Sequence, residues 1–235
     1  MLIAAAVCPH PPILLPEVTG AGGPGDEELG RLRAACHDAV AALAASQPDL
    51  IAVVGAAPDT AEYPPDAKPS LASFSIPYGH EAEPALPLSL GIGKWLLAHT
   101  AQNTVWWGIA STASPAECLE LGGKIAALAP RVAVLAMGDG PGRRARGAPG
   151  AVDPAADRYD ERVAAALAAP SPSALAALDP RDDDRLFVAG RAAWQVLAGA
   201  AARDDFDATV RYAAAPFEVT YYVATWLPGQ GRLEG

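Results

Sequence analysis

The chain has 235 residues, 51% hydrophobic and 19% charged, with a formal charge of −10. That is enough apolar material for a real core in one domain spanning 1–235. It offers no basic stripe to neutralise phosphates, so no nucleic-acid partner is expected. No segment reaches the roughly 18 consecutive apolar residues of a membrane span, so no membrane partner is expected either. Three cysteines, Cys8, Cys36 and Cys118, are odd in number and widely spaced. They argue against a disulfide framework or a structural zinc site, and with no basic n-region at the start the expected setting is the reducing cytoplasm.

The first element, Leu2 to Val7, is a continuous apolar run that predicts a strand buried on both faces. It stops at Cys8-Pro9-His10-Pro11-Pro12, where the prolines hold Cys8 and His10 extended. An imidazole is thereby placed at the C-terminal edge of a sheet, where open α/β folds put their ligand sites. After a Gly-rich loop, acidic residues open a helix whose Leu29, Leu32, Cys36, Val40 and Leu43 form one apolar stripe. His37 lies one step off it and reads as a boundary residue.

Leu50 to Gly55 predicts a second buried strand, parallel to the first through a right-handed βαβ unit. If the two strands are neighbours, His10 and the Ala57–Asp59 segment leave the same edge, and Asp59 is the ionisable side chain there. Residues 62–87 read as a long proline-rich loop, with a short strand at 71–76 and with His80. A loop of that length inside a compact domain is often functional. A helix over 86–99 follows, with His99 near its negative end.

The third strand is 104–109, and Ser114-Pro115-Ala116-Glu117 signals a capped helix start that leaves Cys118 in the core. The fourth strand, 131–137, runs into Gly138-Asp139-Gly140-Pro141-Gly142-Arg143-Arg144, a Gly-rich loop with the composition of an anion cradle but no Walker spacing. Helices are expected at 157–167, at 173–178 and as one long element over 186–202. The β-branched and aromatic runs 210–212 and 219–226 predict closing strands. The fold class is therefore α/β, a single domain with a central, mostly parallel sheet flanked by helices on both faces.

Read together, these loops resemble the class III extradiol ring-cleavage dioxygenases, the LigB/Memo-like superfamily. Pro9-His10-Pro11-Pro12 is similar to the family's opening, and Leu50–Thr60 to its second strand and loop. Gly138-Asp139-Gly140-Pro141-Gly142 stands at its Gly-Asp-Leu-Ser-His motif, followed by Pro149 to Pro154, Tyr159-Asp160, Ala189-Gly190-Arg191 and Pro216 to Tyr221. The resemblance spans nearly the whole chain. It implies Fe(II) held by two histidines and a carboxylate, with a further histidine as acid/base.

Carried over by position, the first ligand is His10. The second falls at Ala57 or Asp59, the third near Ala189, and the acid/base histidine at Gly142. The expectation is thus a degenerate metal site and a non-catalytic relative. Its pocket of His10, Asp59, Asp139 and Arg143 would bind a small aromatic or anionic ligand. The alternative is an active Fe(II) enzyme with a rearranged set of His10, Asp59 and His80, with Glu218 or Asp139 as a further oxygen donor. A third reading is an assembly role, with Trp226 and the C-terminal strands as a homodimer interface.

Overall fold

The computed structural model describes residues 1–19, 25–70, 85–142, 153–201 and 206–229. Strands β1 (Leu2–Cys8), β2 (Leu50–Ala57), β3 (Ala61–Tyr63), β6 (Thr104–Ala110), β7 (Val132–Met137), β8 (Phe206–Ala214) and β9 (Tyr221–Pro228) form one sheet. Their order across it is β3-β6-β2-β7-β1-β9-β8. The four central strands are parallel, and β3, β9 and β8 add antiparallel edges. Short β4 (Lys68–Pro69) and β5 (Ala85–Leu86) pair separately.

The apolar runs are continuous because both faces are covered. Along β7, Val132, Val134 and Ala136 enter one core while Ala133, Leu135 and Met137 enter the other. The period of two sends alternate side chains of β1 and β2 the same way. On one face lie helices α2 (Asp26–Ala45) and α3 (Leu88–Leu96). The other carries α4 (Pro115–Ala126), α5 (Pro154–Ala168), α6 (Pro172–Ala176), α7 (Arg181–Leu186) and α8 (Arg191–Ala200). A short helix, α1 (Pro16–Thr19), precedes α2. Each fully buried Leu or Val of β7 contributes roughly 1.5–3 kcal/mol.

Local signals hold in several places. The α2 stripe is buried at all five expected positions, and the helix opens on Asp26, Glu27 and Glu28 at its positive end. Ser114 and Glu117 form the reciprocal capping box that starts α4. His37 is exposed, its ring tilted against Trp95 at 5.1 Å. Helix α3 ends at Leu96, so His99 stands in the exposed turn beyond it.

Three expectations change. β1 and β2 are parallel but not neighbours, because β7 lies between them and pairs with both. The single helix expected over 186–202 is two elements: Phe187 takes a left-handed conformation (φ 54°) that ends α7, and Gly190 opens α8. Trp226 is an interior residue at 1% exposure whose indole N–H donates to the Leu167 carbonyl at 3.0 Å. Trp226 itself therefore faces the core rather than a partner chain. The strand expected at 71–76 lies outside the described residues.

Among the described residues no helix is long and apolar enough to cross a membrane.

Candidate functional site

The four parallel strands bring their C-terminal ends to one edge of the sheet. From β1 the chain passes by α2 over one face, and from β7 it passes by α5 to α8 over the other. Adjacent parallel strands whose connections part to opposite faces leave a crevice at their C-terminal ends. His10 follows β1 and Asp139 follows β7, so the two stand on either side of that crevice.

The structure brings them into contact. The backbone N–H of His10 donates to Asp139 Oδ1 at 2.8 Å, and the ring Nδ1 lies 3.7 Å from the same oxygen. Their side chains are 8% and 15% exposed, and Nδ1 is sealed from solvent without a hydrogen-bond partner. Beneath them the floor is neutral. A hydrogen bond to Cys8, then burial, pushes the Cys36 thiol well up, and the Asp139 charge adds to it. Burial and then Asp139 push the Tyr221 hydroxyl up. Cys36 and Tyr221 therefore stay protonated beside the carboxylate.

The loops that carry the pair are stiff. Arg33 on α2 donates to the carbonyls of Leu14 and Ile13 at 2.8 and 3.0 Å, clamping the segment after His10. The exit of β7 is held by Gly138 N–H to Cys8 O at 2.9 Å and by Ala189 N–H to Asp139 O at 3.1 Å. Gly138 is required for a close approach, since a Cβ there would stand 2.5 Å from the Cα of Gly190.

Asp59 is not brought to this pair. After β2 the chain turns toward β6, pairs there as β3, and places the Asp59 carbonyl over Gly108. Asp59 is exposed, on the far side of β2 from β7, and its charge is felt by Tyr63. His80, Arg143 and Arg144 lie outside the described residues. Glu218 is exposed in a left-handed turn with φ 64°. Of the positions that the resemblance assigns to ligands, Ala57 and Ala189 carry methyl groups, and Gly142, assigned to the acid/base histidine, has no side chain. Among the described residues no three His, Cys, Asp or Glu side chains converge as a metal site.

Two buried polar clusters stand behind the crevice, at residues that the sequence marks only as landmarks of the resemblance and not as buried charges. Arg191, at the start of α8, is 1% exposed and donates to Asp183 Oδ2, Ala113 O, Gln195 Oε1 and Ser111 O. Burial lifts Asp183 to about 6 against the opposing pull of Arg191. The second cluster is Asp160 on α5, which accepts hydroxyls from Thr220 and Tyr222. A lone charge in the apolar run 191–201 was the available signal for Arg191. For Asp160 the resemblance at Tyr159-Asp160 was the available signal, but nothing local marked its burial, because an exposed and a buried aspartate look alike within a helix.

No family model matches the chain, and no curated protein does. A solved structure does match: the crystal structure of the uncharacterized protein JW3007 from Escherichia coli K12. It has a TM-score of 0.54 at 17% identity, covering 96% of this chain and 99% of that one. At that identity the likeness is one of fold, extending from end to end of both chains.

Proposed function

We propose that the chain is a relative of the class III extradiol dioxygenases whose crevice binds a small aromatic or anionic ligand without ring-opening chemistry. The observation that carries this is the buried His10–Asp139 contact at the parting of β1 and β7. A ligand entering there meets the edge of an imidazole and a carboxylate, each carried on a stiff loop. Such a site suits a hydroxylated ring that can both donate and accept.

The iron of the family does not fit the described donor set. A facial site takes two imidazoles and a carboxylate, whereas the matched positions Ala57 and Ala189 have no ligating atom. The Ala189 amide is already committed to the Asp139 carbonyl. The rearranged set of His10, Asp59 and His80 draws no support from Asp59, which lies toward β6.

The test is anaerobic incubation with Fe(II), desalting, metal analysis, and a catechol ring-cleavage assay on the same sample. Catechol binding is followed in parallel by tryptophan fluorescence. The expected result is catechol binding that His10→Ala abolishes, with no retained iron and no yellow ring-opened product. Near-stoichiometric iron that disappears in His10→Ala overturns the reading.

A further inference from the structure

We propose that Asp160 is the positioning residue for Asp139, holding its carboxylate against His10 from outside the crevice. The role rests on that crevice being the binding site. Asp160 is 5% exposed and spends both carboxylate oxygens on β9 and its lead-in: Oδ2 accepts from Thr220 Oγ1 at 3.0 Å, and Oδ1 accepts from the Tyr222 hydroxyl. Thr220 in turn grips the β7 exit loop at two points. Its carbonyl accepts from Gly140 N–H at 2.8 Å, and its N–H donates to Pro141 O at 3.1 Å. Asp139 immediately precedes the first of these.

The grip is also a stop. A Cβ on Gly140 would stand 2.8 Å from the Thr220 carbonyl oxygen and 2.8 Å from Tyr222 Cε2, so the loop has no room to move toward β9. With the Ala189 N–H on the Asp139 carbonyl, the backbone is tied on both sides of the residue whose carboxylate meets His10. Adhesion between α5 and β9 needs only apolar packing, and burying a carboxylate for that purpose is costly. What Asp160 adds is direction. It fixes the two hydroxyls, and the Thr220 backbone carries that orientation into the loop.

The experiment records the ring nitrogen signals of His10 at one pH in the ligand-free folded protein, assigned by their loss in His10→Gln. Unfolding midpoints are measured alongside. Asp160→Asn and Gly140→Ala are expected to shift the His10 signals in the direction that Asp139→Asn shifts them. Leu43→Ala, a buried change in the last turn of α2, is expected to lower stability and leave the signals in place. If Asp160→Asn does not fold, Tyr222→Phe removes one hydroxyl and is read the same way. Lowered stability with unmoved His10 signals overturns the proposal and leaves Asp160 a packing residue. Shifted signals in a protein that fails to bind catechol uphold it while overturning the proposed ligand.

Discussion

Two buried nitrogen-bearing side chains sit behind the same sheet edge, and they are treated differently. Every guanidinium nitrogen of Arg191 is engaged by a protein acceptor, from Ser111 and Ala113 after β6 to Asp183 and Gln195. His10 is nearly as buried, yet its Nδ1 has no hydrogen-bond partner. A guanidinium matched by protein on every nitrogen has finished its work when the chain folds, whereas His10 stands at a strand exit with its ring 3.7 Å from the Asp139 carboxylate. The Arg191 cluster is thus a brace joining α7, α8 and the β6 exit, and the His10–Asp139 pair is where the proposed ligand would bind.

The largest expected effect tests the brace. Arg191→Met leaves the Asp183 carboxylate without its cation and two carbonyls without a donor. It should cost about 3–5 kcal/mol in denaturant unfolding. The pH dependence gives this a sign. Burial raises Asp183 from the usual 3.8 to about 6, so the folded state holds its proton more tightly than the unfolded chain. That contribution to stability is complete below the unfolded value and is lost as the pH climbs through the folded one. Without the opposing cation the carboxyl rises further, and the deficit of Arg191→Met should be smaller at about pH 5 than at about pH 7.5. A deficit that does not change with pH would remove Asp183 from the brace.

A smaller stability effect, with a larger functional one, is expected on the other side of the comparison. Asp139→Asn keeps an oxygen for the His10 N–H and should cost about 1 kcal/mol or less. Catechol binding should fall by about tenfold or more, a difference of ~1.4 kcal/mol. Stability loss on the scale of Arg191→Met, with binding intact, would make His10–Asp139 a second brace. The smallest effect is expected at Asp59. Asp59→Ala should leave stability within about 0.5 kcal/mol and catechol binding unchanged, and a binding loss would bring Asp59 into the site.

Much of this was legible in the sequence because local rules decided it. The unbroken runs 2–7, 50–55 and 131–137 are strands sandwiched between helix layers, and Ser114 with Glu117 caps α4 as written. His10 and Asp139 could be placed at strand exits because each follows an apolar run directly. Strand order was not legible. Nothing in residues 2–57 states that β7, synthesised much later, will separate β1 from β2, and Asp59 therefore looked closer to His10 than it is. The break at Phe187 was hidden because Leu186, Trp194 and Leu197 keep helical spacing across it.

The insertion of β7 between β1 and β2 also dictates an order of events during synthesis. The β1–β7 pairing joins Cys8 to Met137, and β2 reaches the same strand through Gly55. Until residue 137 has left the ribosome, neither N-terminal strand has its central partner, and both expose backbone donors and apolar side chains. Contacts this distant in sequence slow folding, since the intervening chain must be ordered before they form. The crevice is therefore among the last features to exist: its two walls are made at opposite ends of that wait, and it has no shape until they meet.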